Sequence, residues 1–137
     1  MKQYTGTKTI NAKPMNRQDY NDLRGWQLPD DENGADEGYL VEYPDSDSNL
    51  DGFDGYVSWS PKAQFEGAYK LSGTFLDRMV IERDDLQTKL NGARAALENR
   101  PAGMDDIAYN GLVDQVWAME DYLSAVSYRI GLAEEAA

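Results

Sequence analysis

A chain of 137 residues with 25 acidic and 13 basic side chains, a net charge of -12 and neither cysteine nor histidine excludes several chemistries at once. One modest domain with a real core fits that length, and there is little room for two. Without cysteine there is no disulfide framework or thiolate metal site, and without histidine there is no Ser-His or Cys-His nucleophile, His-ligated zinc or HExxH-type centre.

In chain order, residues 2–13 are rich in Thr and partly alternating, which predicts a strand that Pro14 stops. Asn16 is placed to cap a short helix from Arg17 to Arg24, with Gly25 at its C-terminal end. Trp26 and Leu28 are expected as core anchors, and residues 29–38 as an acidic loop. Strands are predicted over 39–43 and 56–60. A short helix follows over 61–69, with Pro61 in its first turn. The remainder reads as two long amphipathic helices, over about 73–99 and 104–135. The first carries Leu76, Met79, Val80, Leu86, Leu90, Ala93 and Leu97 at helical spacing. The second carries Leu112, Val116, Met119, Leu123, Val126 and Ile130. Ser72 or Thr74 is the expected cap of the first and Asp105 or Asp106 of the second, with Asn99–Gly103 as the break between them. Gly92 either admits another helix closely or is a simple imperfection.

The predicted fold is therefore α+β: a small antiparallel β-sheet with short helices over 1–70, then a long antiparallel helical hairpin over 71–137. Neither part is large, so the sheet is expected to share its core with the hairpin or with a second subunit. Met1–Gly6 lacks the apolar stretch of a signal peptide, and no 18-residue apolar run is present, so a soluble protein of a reducing cytosol is expected.

The charge is spread evenly: residues 1–70 carry 7 basic and 13 acidic side chains, and residues 71–137 carry 6 and 12. Neither half is a basic module, which argues against DNA or RNA polymers as partners. Two or three arginines gathered at one place still suffice to hold the phosphates of a small anion.

Three constellations could carry chemistry. Asp47-x-Asn49-x-Asp51-Gly52 copies the opening of a calcium loop, but the twelfth position is Ser58 rather than Glu and the flanks are strands. A solvated acidic loop is the plainer reading, and no metal ligand is assigned. The aromatics of the first half, among them Tyr4, Tyr20, Trp26, Tyr39, Tyr43 and Trp59, read as core or subunit interface in the absence of a basic groove. The polar set on the hairpin is the third. Phe75, Arg78 and Glu82 share one face of the first arm, and Gln115, Met119, Tyr122 and Arg129 share one stripe of the second. Plain structural roles exist for each: an Arg78–Glu82 surface pair, Phe75 in the core, or Arg129 answering a helix dipole.

Phe75-x-x-Arg78-x-x-x-Glu82-x-x-x-Leu86, followed by Gln115-x-x-x-Met119-x-x-Tyr122-x-x-x-x-x-x-Arg129-Ile130, resembles the hairpin domain shared by phage anti-CBASS sponges and the first Thoeris anti-defence family. Tyr4–Lys8, Arg24–Trp26, Asp36–Tyr43 and Gly55–Pro61 look like a phage module found ahead of such hairpins and of other phage domains. The resemblance implies a non-enzymatic protein without cofactor, acting in the cytoplasm of an infected bacterial host. It would bind a cyclic ADP-ribose isomer or a cyclic oligonucleotide as a homo-oligomer, dimer or hexamer, with pockets between protomers. On that reading Arg129 and Arg78 hold phosphate and Phe75 and Tyr122 stack on the base, with Arg24 and Lys8 as lesser ligand-binding candidates. The alternative is a phage structural or adaptor protein whose hairpin binds a partner helix.

Overall fold

The apolar run from Gly38 to Tyr43 forms the middle of a three-stranded antiparallel sheet. In the computed structural model, which describes residues 1–137, the strands are β1 (Asn11–Pro14), β2 (Gly38–Tyr43) and β3 (Tyr56–Pro61), in the order β1-β2-β3. Asn11 pairs with Glu42 and Pro14 with Tyr39; across the other edge Leu40 pairs with Trp59 and Val41 with Ser58. The first strand is thus much shorter than residues 2–13. β2 ends at Tyr43 and Pro44 begins a turn, so residues before Asn11 have no extended partner to pair with. Pro14 lies inside the strand rather than past it, which an edge strand tolerates because one row of its N–H groups is unpaired anyway.

The helix α1 (Arg17–Arg24) begins and ends on the expected residues. The Asn16 side chain accepts from the Asp19 N–H at 2.8 Å, and Gly25 takes the left-handed conformation at φ 70°, returning its N–H to α1 carbonyls. Tyr20 from α1 joins Leu40 and Val57 in a buried cluster, ringed by Met15, Leu50, Phe53 and Trp59. The Trp59 indole N–H donates to the Met15 carbonyl at 2.7 Å, fixing the large ring in place. Gly38 is required here, since a Cβ would stand 2.4 Å from both the Ser60 carbonyl oxygen and the Trp59 ring.

Trp26 stays at the rim of this core, its ring meeting that of the buried Tyr20 edge-on at 6.0 Å. It is 52% exposed, because the turn at Gly25 carries the chain away from the sheet, and its ring lies under the Arg24 guanidinium at 4.3 Å. Leu28 is only half-buried. The loop between β2 and β3 is closed by Asn49, whose side chain both donates to the Val57 carbonyl and accepts from the Val57 N–H. The Glu42 carboxylate takes the N–H groups of Asp54 and Gly55. The short α2 (Lys62–Ala68) follows, with Pro61 just before its first turn, and stacks Phe65 against Tyr39 at 4.0 Å.

Two compact units make up the chain, Met1–Tyr69 and Lys70–Ala137. In the second, α3 (Phe75–Glu98) opens with a complete capping box: Thr74 accepts from the Asp77 N–H, and the Asp77 carboxylate accepts from the Thr74 N–H. Asp105 caps α4 (Asp106–Ala136) through the Ala108 N–H. The two helices run antiparallel along one apolar seam. Met79, Val126 and Ile130 are its buried centre, flanked by Leu76, Val80 and Leu123, with Leu90 and Val116 buried further along. Arg94 meets Glu120 at 3.1 Å, and the Tyr109 hydroxyl donates to the Leu97 carbonyl near the turn. Gly92 faces open space, and no other helix of this chain packs closely on it. No helix is long and apolar enough to cross a membrane.

Candidate ligand site

The seam between α3 and α4 sets which polar residues share an edge of the hairpin. Its register runs from Phe75 beside Arg129 at the open end to Leu97 beside Tyr109 near the turn. Residues seven apart return to nearly the same side of a helix. Phe75, Glu82 and Lys89 therefore form one row, Arg129, Tyr122 and Gln115 form the facing row, and the register sets Glu82 level with Tyr122.

The capping box holds the start of α3, and this places Phe75 at the first helical position, 57% exposed. The Arg129 guanidinium lies over its ring at 5.4 Å. Such a contact is worth about 0.5–1 kcal/mol at an exposed position, enough to bias the arginine's orientation without sequestering its donors. Phe75 is thus not a core residue. Arg129 lies about two turns before the end of α4, too far in for its charge to answer the terminal dipole.

Arg78, one turn on from Phe75, does not pair with Glu82. Its guanidinium turns back to the carbonyls of Ser72 and Gly73, at 3.1 and 3.4 Å, and braces the segment that enters α3. Neither Arg78 nor Arg129 forms a salt bridge, whereas Arg17, Arg83, Arg94, Arg100 and Lys62 all do. Neither arginine is committed to a carboxylate, so both keep donors that an anion can take, although the same edge also carries the exposed Glu82 carboxylate. Tyr122 is 49% exposed and lies two turns from Arg129, about 10 Å along the axis. One open edge therefore offers two aromatic faces and two guanidinium groups.

Arg24 and Lys8 belong to the other unit, and each is held by aromatic rings there. Arg24 stacks on Trp26 and donates to the Tyr20 hydroxyl at 3.0 Å, while the Lys8 ammonium lies 5.4 Å from the Tyr43 ring centre.

Two hollows stand out, one within each unit. A wide cleft of about 540 Å³ in the first unit is lined by Asp19, Glu37 and Glu66 with Lys62 and Tyr39. The Tyr39 hydroxyl donates to Glu66, which raises its pKa, and the hydrogen bond to Glu37 raises that of Lys62. A smaller groove of about 190 Å³ runs along α3 beside Asp77, Asp84 and Asp85. Carboxylates dominate both, so neither suits a phosphate. The hairpin edge is open on one side, and enclosing a ligand there requires a second surface.

Sequence reasoning passed over Trp117 and Tyr128, which stand 67% and 69% exposed on α4. Their signal was available: they lie off the Val116–Val126–Ile130 row, at positions that the seam does not need.

A family model described as Sequestin matches residues 73–132, the whole of α3 and most of α4. The hairpin is similar to that family; the match spans 60 of 137 residues and leaves the first unit outside it. No curated protein and no solved structure matches the chain.

Proposed function

We propose that this protein is a phage sponge that binds a cyclic ADP-ribose-type immune signal, of the kind made by Thoeris TIR proteins, and keeps it from its effector without cleaving it. The observation that carries this reading is the hairpin edge, where Arg129 lies over Phe75 and Arg78 stands one turn away, both arginines without carboxylate partners. Support comes from the Sequestin match to the same helices, since sequestration is what such an edge is suited to. A cyclic ADP-ribose isomer offers an adenine face for Phe75 or Tyr122 and a pyrophosphate for Arg129 and Arg78. CBASS cyclic oligonucleotides present the same two features and are the second ligand class. The open geometry of the edge favours a pocket completed by another protomer, in a dimer or hexamer.

A sponge works by mass action, so nanomolar affinity, about -12 kcal/mol, and abundance above the signal are its requirements. No catalytic group is assigned. Signal mixed with the protein is expected to disappear from the filtrate and to return chemically unchanged after heating. Recovery of a hydrolysed product would make the protein an enzyme instead. Arg129→Ala should weaken binding by about 10- to 100-fold, the loss of one charge-assisted contact, read by the ligand-induced rise in melting temperature. An unchanged shift in that variant removes Arg129 from the site. The adaptor reading draws on the exposed aromatics of α4 and predicts no small-molecule shift at all.

A further inference from the structure

One carboxylate stands on the edge that the two arginines mark. Glu82 is exposed and enters no ion pair. Arg78, one turn back, turns to the carbonyls of Ser72 and Gly73, and the adjacent Arg83 pairs with Asp84. On an edge that only had to attract phosphates, a free carboxylate works against binding. Where hydroxyl groups must be held it is well suited, because an ionised carboxylate accepts through both oxygens and donates nothing.

The register of the hairpin gives this edge two unlike ends. Phe75, Arg129 and Arg78 lie at the open end and supply guanidinium donors and one aromatic face. Two turns further along α3, about 10 Å on, Glu82 stands level with Tyr122 and supplies an acceptor and a second aromatic face. Lys89, the next cation in the Glu82 row, is another two turns away. A ligand laid along the edge therefore meets positive charge at one end and a carboxylate at the other.

The two ligand classes of the sponge reading differ in what they bring to the second end. A cyclic ADP-ribose isomer concentrates its charge on one pyrophosphate and keeps both hydroxyls of its second ribose free. In a cyclic oligonucleotide every ribose gives a hydroxyl to a phosphodiester, so no vicinal pair remains and phosphates are spread around the ring. With one phosphate on Arg129 and Arg78, the next is carried towards Glu82. An acidic side chain on ribose hydroxyls is the device of dinucleotide-binding sites. Repulsion of a phosphate at the same place sharpens the choice.

We propose that Glu82 is the specificity-determining residue of this edge. It accepts from a vicinal ribose diol while Arg129 and Arg78 hold the pyrophosphate, and it turns away ligands that bring a second phosphate there. The inference rests on the sponge reading and narrows it to cyclic ADP-ribose isomers over cyclic oligonucleotides.

Calorimetric titration of the full chain with three probes tests it: a ribose-linked cyclic ADP-ribose, the same compound with its diol capped as an acetal, and cyclic di-AMP. The unaltered chain should bind the free diol at least tenfold more tightly than either other probe, the worth of hydrogen bonds to a charged group. Glu82→Gln keeps the side chain's size and removes its charge, and at an exposed position it should leave the helical ellipticity unchanged. This variant should lose about tenfold for the free diol, gain for cyclic di-AMP and show a smaller penalty for the cap. Equal losses for all three probes, or no change for any, overturn the proposal, as does an unaltered chain that prefers cyclic di-AMP. Binding of the free diol that Arg129→Ala weakens and Glu82→Gln leaves intact keeps the sponge reading and overturns this one. No binding of any probe overturns both.

Discussion

The two units solve the same stability problem by different means. The hairpin relies on burial along one seam, where Leu90, Ile130, Val126 and Met79 are nearly inaccessible, and its polar links between the helices are few. The first unit has a small apolar cluster and compensates with side chains that satisfy backbone groups: Asn49 on Val57, Trp59 on Met15 and Glu42 on the loop before β3. A long helix satisfies its own backbone, so its remaining need is a covered stripe. A three-stranded sheet has two unpaired edges and turns that do not close themselves, so specific polar residues must finish it.

Leu90→Ala tests the hairpin's side of this contrast and should have the largest effect, about 2–5 kcal/mol for a fully buried leucine. Helical ellipticity followed through a urea titration reports it, since α3 and α4 hold most of the helix. With Trp26 and Trp117 replaced by Phe, a Trp59 fluorescence transition that shifts by the same amount would show that the two cores melt as one and would break the contrast.

Asn49→Ala tests the other side. It removes both hydrogen bonds to Val57, a fully buried residue, and leaves its N–H and C=O to find other partners. A loss of about 1–3 kcal/mol is expected, seen first in the Trp59 signal; a loss near zero would mean that the apolar cluster alone holds the sheet.

The smallest effect is alkaline. Tyr39 and Lys62 are both raised above their ordinary values of 10.0 and 10.5, each chiefly by its hydrogen bond to a glutamate. A pKa raised by folding adds stability that is fully present below the unfolded value and is lost as pH climbs through the folded one. The first unit should therefore lose a little stability above about pH 10, and Glu66→Gln should flatten the part due to Tyr39. The Tyr39 hydroxyl and the Lys62 ammonium both reach solvent, which screens the effect, so a shift of a few degrees at most is expected. An equal alkaline loss in Glu66→Gln would place the cause elsewhere.

How much was legible in the sequence differs between the units for the same reason. The α+β class, both long helices, the cap at Asn16 and, to within two residues, those at Thr74 and Asp105 follow from local rules: periodicity of apolar residues and short polar side chains beside a helix start. The first strand was misjudged because pairing is not local. Thr-rich residues 2–10 have the propensity, but β2 has no room for them before Pro44. Trp26 was expected as a core anchor, and after the left-handed turn at Gly25 it only edges the buried Tyr20 and stays half exposed. On the hairpin, spacing already put Phe75 with Arg78 and Tyr122 with Arg129. It could not show that Arg129 lies over Phe75, nor that Arg78 turns from Glu82 to the carbonyls of Ser72 and Gly73.

What the sequence by itself determined is therefore what a helix or a turn decides within a few residues: which segments coil, where they begin, and which chemistries a chain without histidine or cysteine lacks. The tertiary structure decided which edges meet. Side-chain charge and aromatic surface acquire a role only when the register of two helices sets them side by side. That register is fixed by Met79, Leu90, Val126 and Ile130 packing far apart in sequence, and not by the residues that line the edge.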